Sequence, residues 1–245
     1  MIEESTAIVV LGLRSGTSAL AGVINHLGVY FGYDLMPPAE DNRRGFWEHL
    51  GIERVHQQLL ADLGSSWHDS SPLPLGWEMS APAVFAWDRI RYILERDFGD
   101  VPLWGVKDPR MCRLLPLWMR LLSDLGVAPR FVISVRDPRD VAASLTLRNG
   151  FDEGRCLTLW RSYLRCAVEG SRGHPTSFVR YDDLLDPPSW RRVTERLSSE
   201  LDVTWPHVEG WWIDRFLTGD LRHHRSDPGL ASDLPGYFGE DVIGA

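Results

Sequence analysis

A short polar loop near the beginning of the chain carries side chains suited to binding an anion. An apolar, β-branched run over residues 7–11 is followed by Gly12, and helical periodicity begins at Leu20. The loop between them reads Arg14-Ser15-Gly16-Thr17-Ser18. This order brings backbone N–H groups and hydroxyls to a helix N-terminus, where the helix dipole favours negative charge. Gly16 lets the backbone approach closely and Arg14 adds a planar cation, so the loop predicts a phosphate or sulfate site.

The loop differs from the phosphate loop of nucleoside triphosphatases, G-x-x-x-x-G-K-[ST]. Three residues rather than four separate Gly12 from Gly16, and Thr17 stands where that loop has its lysine. The sequence instead resembles the 5′-phosphosulfate loop of sulfotransferases that use 3′-phosphoadenosine 5′-phosphosulfate (PAPS). The resemblance implies that residues 15–18 hold the 5′-phosphate and that Arg14 stabilises charge on the bridging oxygen of the leaving group.

A second motif lies about 120 residues further on, over residues 131–145. Residues 131–135 form a continuous apolar run, typical of a strand buried on both faces of a parallel sheet. Arg136 ends this run, and Ser144 follows eight residues later on a predicted helix. The spacing resembles the 3′-phosphate motif of the same family, which implies that Arg136 and Ser144 hold the 3′-phosphate of PAPS.

Two further segments resemble the family, so that the resemblance covers most of residues 7–185. Residues 104–118 contain Lys107-Asp108-Pro109-Arg110, which is similar to the K-D-P-R segment of bacterial sulfotransferase-like proteins. The resemblance implies that Lys107 contacts the transferring sulfuryl group. Residues 177–185 resemble the element whose tyrosine lies beside the adenine, which here is Tyr181.

The general base is open. Cytosolic steroid and phenol sulfotransferases carry a histidine in a K-x-H segment, but Pro109 stands at that position here. We favour Glu48, which follows the first predicted helix, then Asp108 and then His49. A carboxylate can accept the proton when burial raises its pKa. The alternatives are a helix cap for Asp108 and a surface ion pair for Glu48.

Alternating strands and helices predict an α/β fold of the P-loop type, a parallel sheet with helices on both faces, as in the sulfotransferase fold. Strands are predicted at 6–12, 102–107, 130–135 and 176–181, and helices at 17–28, 47–63, 82–98, 113–125, 138–149, 153–171 and 188–201. We expect one domain over residues 1–245, with a less informative tail from about residue 202. Of the two long connections, residues 29–46 are expected to form an acceptor wall and residues 64–81 a lid.

Composition excludes several classes of function. The net charge of −8 argues against a nucleic-acid-binding protein. The chain has no apolar run long enough to span a membrane, and its three cysteines are expected to stay reduced, which together predict a cytoplasmic protein. The cluster Arg222-His223-His224-Arg225 either replaces the family's missing R-K-G element or forms a solvated basic turn. No spacing of His and Cys predicts a metal site.

These resemblances imply a sulfotransferase that transfers a sulfuryl group from PAPS, without a metal, to a hydroxyl of a small-molecule, carbohydrate or lipid acceptor. Two alternatives stay open. One is a P-loop small-molecule kinase, which the absence of G-K-[ST] disfavours. The other is a catalytically degenerate relative that binds 3′-phosphoadenosine 5′-phosphate (PAP) or a glycan without turnover.

Overall fold

The computed structural model describes residues 5–40, 42–186, 189–207 and 210–217, and these contain one four-stranded parallel sheet. The strands are β1 (Thr6–Leu11), β2 (Leu103–Lys107), β3 (Ala128–Val135) and β4 (Thr176–Arg180), in the order β2-β1-β3-β4. All three pairings are parallel. The predicted α/β class, with its parallel sheet, is therefore confirmed.

The helices of the described residues cover both faces of this sheet. They are α1 (Thr17–His26), α2 (Leu50–Asp62), α3 (Ala81–Phe98), α4 (Met111–Asp124), α5 (Pro138–Asn149), α6 (Glu153–Ser171), α7 (Tyr181–Leu185), α8 (Ser189–Leu201) and α9 (Trp211–Phe216). The sequence did not predict the short helices α7 and α9. Helix α2 begins at Leu50 and not at residue 47, because Trp47 has a left-handed φ of 58° and His49 caps the helix.

Alternate side chains of β1 enter two separate cores. Ala7, Val9 and Leu11 pack in a core built with helices α2 to α6, whereas Ile8 and Val10 pack in a second core with α1 and helices α7 to α9. Successive side chains of a strand point to opposite faces, so a strand covered on both faces must be apolar throughout. This is why the strands read as continuous apolar runs.

The parallel register brings the carboxyl ends of the strands to one edge of the sheet. Val10 pairs with Lys107 of β2 on one side and with Val132 of β3 on the other. The segments that follow β1, β2 and β3 therefore start side by side, which is where open α/β sheets bind ligands. None of the helices in the described part of the chain combines the length and apolar character needed to cross a bilayer.

The packing of the first core predicts the cost of truncating a helical leucine within it. Leu121 of α4 is fully buried, whereas Leu147 of α5 is 78% exposed. We expect Leu121→Ala to lower the free energy of unfolding by about 2–5 kcal/mol. The matched change Leu147→Ala should shift it by less than about 0.5 kcal/mol. Urea denaturation measures both values, and equal losses would contradict the burial described here.

Candidate active site

A cavity of about 450 Å³ opens at the carboxyl edge of the sheet. Segments that follow each of the four strands line it, together with residues of the first long connection. Nine of the predicted site residues lie in its wall, namely Arg14, Gly16, Thr17, Ser18, Glu48, Lys107, Arg136, Ser144 and Tyr181. Ser15 and Asp108 lie outside this lining, and Arg222 to Arg225 lie outside the described residues.

The loop after β1 is closely packed at Gly16. Gly16 precedes α1 with a φ of 86°, and a Cβ built on it would lie 2.0 Å from Cδ2 of the Tyr181 ring. Ser15 of this loop is buried, and its carbonyl accepts a hydrogen bond of 2.6 Å from the Ser134 hydroxyl of β3. The loop is thus fixed to β3 from below, and Tyr181 packs against it where only glycine leaves room.

Arg14 connects the two predicted phosphate motifs. Its φ of 53° is left-handed, and its Nε and Nη2 donate to the Ser144 hydroxyl at 3.1 and 2.8 Å. The two residues are 130 positions apart in the sequence. The sheet therefore brings the loop after β1 and helix α5 into direct contact at the cavity wall.

Arg136 and Tyr181 form a second polar group in the wall. The guanidinium carbon of Arg136 lies 4.9 Å from the centre of the Tyr181 ring, a distance at which a cation is attracted to an aromatic face. Arg136 Nε is also 3.5 Å from Asp140 Oδ2, one turn further on in α5. The guanidinium is consequently held over the ring at the end of β3.

Lys107 and Glu48 form a buried ion pair on the opposite side of the cavity. Lys107 Nζ donates to Glu48 Oε1 at 2.6 Å, to the Phe46 carbonyl at 3.0 Å and to the Ser18 hydroxyl at 3.2 Å. Lys107 is 3% exposed and Glu48 6%. All three ammonium donors are used, so this lysine holds the loop after β1 and the segment before α2 together.

Asp108 lies under the cavity wall in a different environment. It is 1% exposed; one oxygen accepts from Arg110 Nη1 at 2.8 Å, and the other accepts from His56 Nδ1, also at 2.8 Å. Burial opposes its charged form, but the Arg110 charge and the hydrogen bonds donated by His56 and the Arg110 backbone outweigh it and hold the pKa of Asp108 well below its usual range. A carboxylate whose two oxygens already accept hydrogen bonds and whose pKa is lowered is poorly suited to accept a proton from a substrate.

The third base candidate, His49, has a structural role. Its Nδ1 accepts the backbone N–H of Gly51 at 3.2 Å and so caps α2, and its Nε2 donates to Asp97 Oδ2 at 3.0 Å. Both ring nitrogens are therefore engaged, and the ring does not line the cavity.

Several residues of the wall were not predicted as site residues. Arg110 lies between Glu53 and Asp108, and the local signal for it was only its place in the K-D-P-R segment. The other unpredicted lining residues are Leu13, Ala19, Met36, Asn42, Phe46, Trp67, Pro109, Arg148 and Asn149. Met36, Asn42 and Phe46 come from the long connection between α1 and α2. Met36 and Phe46 lie in residues 29–46, which the sequence predicted as a wall of the site, but no motif singles out the individual apolar residues.

The second long connection is anchored to α4 and α6. Arg113 donates to the carbonyls of Ser66 and Ser71 at 2.7 and 2.8 Å, and the Tyr163 hydroxyl donates to the Trp67 carbonyl at 2.5 Å. Arg113 is 5% exposed. These hydrogen bonds attach the connection to the helices, and its Trp67 lines the cavity. A segment attached in this way is a wall of the cavity rather than the lid that the sequence predicted for residues 64–81.

Comparison with solved structures identifies the fold of this chain. Neither a protein-family model nor a curated protein sequence matches the chain. The sulfotransferase domain from the Synechococcus PCC 7002 olefin synthase superposes with a TM-score of 0.54, covering 95% of this chain and 87% of that chain at 21% identity. This chain has the sulfotransferase fold. The sulfotransferase domain from the curacin biosynthetic pathway is a second match, with a TM-score of 0.45, 18% identity, and coverage of 92% and 80%.

Within this sulfotransferase fold the described cavity lining has more cations than carboxylates, although the whole chain has a net charge of −8 and several of these cations are paired with carboxylates in or behind the wall. The described lining includes one carboxylate, Glu48, and five cations, which are Arg14, Lys107, Arg110, Arg136 and Arg148. A cleft lined by one sign of charge concentrates ligands of the opposite sign. No group of three His, Cys, Asp or Glu side chains in the described part of the chain is arranged to hold a metal ion. The cavity is therefore suited to a polyanion.

The contact between Gly16 and Tyr181 generates a prediction about stability. Gly16→Ala and Gly64→Ala both place alanine at a positive φ, of 86° and 71°, but nothing lies within 4 Å of a Cβ at Gly64. We expect Gly64→Ala to lower the free energy of unfolding by about 1–2 kcal/mol. Gly16→Ala should cost clearly more, because the ring of Tyr181 must also move. Equal values in urea denaturation would refute the tight packing of this loop.

Proposed function

We propose that this chain transfers a sulfuryl group from PAPS to a hydroxyl of a small organic acceptor. The observation that carries the proposal is the common wall of one cavity. Arg14 and the hydroxyls of α1, Arg136 with Ser144, and Tyr181 line one part of it, and the Lys107–Glu48 pair lines the other. The two phosphate motifs recognised in the sequence, together with a candidate acid–base pair, thus face the same space.

The chemistry of the lining fits a donor with two phosphate groups. PAPS, when bound, supplies an activated sulfuryl group and leaves as PAP. The loop N–H groups with Thr17 and Ser18 would hold its 5′-phosphate, and Arg136 with Ser144 its 3′-phosphate. Tyr181 would lie beside the adenine. The excess of five cations over one carboxylate in the lining supports a multiply charged anionic donor.

On the acceptor side, Glu48 takes the proton from the attacking hydroxyl in this proposal. It lines the cavity, whereas Asp108 is occupied by His56 and Arg110 and does not. Sulfuryl transfer, like phosphoryl transfer, depends mainly on alignment and on stabilising charge in the transition state. Lys107 and Arg14 supply that positive charge in this proposal, and their hydrogen bonds already orient them.

The acceptor wall favours an apolar alcohol over a sugar. Met36, Phe46, Trp67 and Pro109 line the cavity with apolar surface. Recognition of a sugar requires many polar partners, because each of its buried hydroxyls must be hydrogen-bonded. The acceptor is accordingly a small molecule or a lipid with a hydroxyl on an apolar body.

The first test of this function is binding of the product nucleotide. A ligand that binds only the native state stabilises it, by about 2.7 kcal/mol at a hundredfold excess over its Kd. PAP in EDTA should therefore raise the Tm by several degrees, and ATP with magnesium should raise it much less. Arg136→Ala should remove most of this shift, whereas Arg139→Ala, an exposed neighbour paired with Asp137, should retain it. A larger effect of ATP with magnesium would favour the kinase alternative and reject ours.

The second test separates the two carboxylates. Glu48→Gln keeps the shape and removes the proton acceptor, so we expect kcat to fall by about 10²–10⁴-fold with PAP binding intact. Turnover is measured as PAP release with PAPS and an apolar alcohol such as 2-phenylethanol. Asp108→Asn should retain more activity, because Asp108 acts through its neighbours.

The reverse ranking, an active Glu48→Gln beside an inactive but folded Asp108→Asn, would assign the base to Asp108. Full activity of both variants on this weakly acidic alcohol would show that neither Glu48 nor Asp108 is the base.

A further inference from the structure

A buried cluster of charges continues from Glu48 into the protein below the cavity. Its centre is Arg110, in the turn between β2 and α4. The Arg110 guanidinium lies 2.8 Å from Asp108 Oδ1, 2.7 Å from Glu53 Oε1 and 3.6 Å from Glu48 Oε2. One guanidinium therefore faces three carboxylates, of which only Glu48 reaches the cavity.

Two independent attachments fix the orientation of this guanidinium. Asp108 holds it from its own turn and Glu53 holds it from α2. Asp108 is itself held by His56 Nδ1, and the indole N–H of Trp118 donates to His56 Nε2 at 2.8 Å. Because the indole can only donate, His56 Nε2 must accept, so the proton of His56 is on Nδ1 and points at Asp108. A continuous hydrogen-bonded path thus runs from the core to Arg110.

The two oxygens of Glu48 are in different situations. Oε1 accepts the 2.6 Å hydrogen bond from Lys107. Oε2 is 3.6 Å from Arg110 Nη1, within the range of an ion pair but too far for a hydrogen bond. Oε2 consequently faces a fixed positive charge while its lone pair is left for another donor, such as the hydroxyl of an acceptor.

We propose that Arg110 is the positioning residue of the base: held by Asp108 and Glu53, it directs Oε2 of Glu48 into the cavity. This inference rests on the proposed function, in which Glu48 accepts the proton. It also gives Asp108 a defined part, as the anchor of Arg110 rather than as a second base. A merely structural ion pair would affect stability without affecting the pH dependence of turnover.

The test compares Arg110→Gln with Arg110→Lys, and uses Arg120→Gln on α4, which contacts the Glu78 carbonyl, as the matched control. Turnover of 2-phenylethanol with PAPS is measured as PAP release across pH, and PAP binding by calorimetry. Arg110→Gln should lower kcat about 100-fold, the size of effect that misplacement by about 1 Å produces. PAP binding should fall much less than kcat, because Arg110 lines the cavity but its ion pairs described above are with Asp108, Glu53 and Glu48 and not with residues predicted to hold the donor. Arg120→Gln should match the parent.

The pH dependence of kcat distinguishes a positioning role of Arg110 from a purely structural one. Glu48 faces Lys107 of β2 and Arg110 of the following turn, and Glu53 of α2 acts on it through Arg110. Arg110→Gln removes a cation that lies 3.6 Å from the proposed base, so the acidic limb of kcat should move to higher pH in this variant. Arg110→Lys should return this limb towards that of the parent but leave kcat low, because an ammonium cannot reach all three carboxylates.

Parent-like kcat and pH profile in Arg110→Gln would overturn the proposal, as would an equal loss of PAP binding and activity. If that variant does not fold, Glu53→Gln removes one anchor and keeps the guanidinium: a lower kcat with parent-like PAP binding supports positioning, and full activity overturns it. A parent that neither binds PAP nor turns over the alcohol rejects the proposed function. The crystal structure of Arg110→Gln then decides: displacement of Glu48 from the cavity wall supports positioning, and an unchanged Glu48 overturns it.

Discussion

The buried ion pair between Lys107 and Glu48 is the constraint on which the cavity depends. Lys107 ends β2, where the parallel sheet excludes water, and a charge in that position must be paired. Its partner comes from the far end of the connection between α1 and α2. Backbone hydrogen bonds extend the constraint: Met36 N–H donates to the Glu48 carbonyl, and Leu50 N–H to the Asp34 carbonyl, both at 2.8 Å. The path of the connection between α1 and α2 along the cavity is therefore tied to the pairing of one buried ammonium.

The same ammonium connects the two halves of the site. Through the Ser18 hydroxyl it contacts the start of α1, and through Glu48 it contacts the charged cluster around Arg110. Removing one partner of a buried pair commonly costs about 3–5 kcal/mol, because the other charge is left without compensation. The loop after β1 and the cluster around Arg110 are thus coupled energetically as well as in space.

The sequence predicted the sheet and much of the site for a common reason. Continuous apolar runs identify strands that are buried on both faces, and parallel strands bring their carboxyl ends together, so motifs that follow them must meet. The start of β3 was harder to predict, because Pro129 argues against a strand. A proline is tolerated at this position, since β4 pairs with β3 only from Phe131 onward. The roles of Asp108 and Arg110 could not be predicted. They depend on His56 and Glu53, which lie 52 and 57 positions away.

Several anchors of residues 64–80 bind main chain. Arg113, Tyr163 and Ser162 donate to backbone carbonyls of this segment, those of Ser66, Ser71, Trp67 and Ser70. Arg113 also donates to the Ser65 hydroxyl. A carbonyl is present whatever residue carries it, so the main-chain anchors persist when the side chain at their position changes. Exchange of Trp67 would remove its ring contact with Phe151 but would keep the backbone bond from Tyr163. The side chains that line this part of the cavity can therefore vary while the main-chain path beneath them is kept.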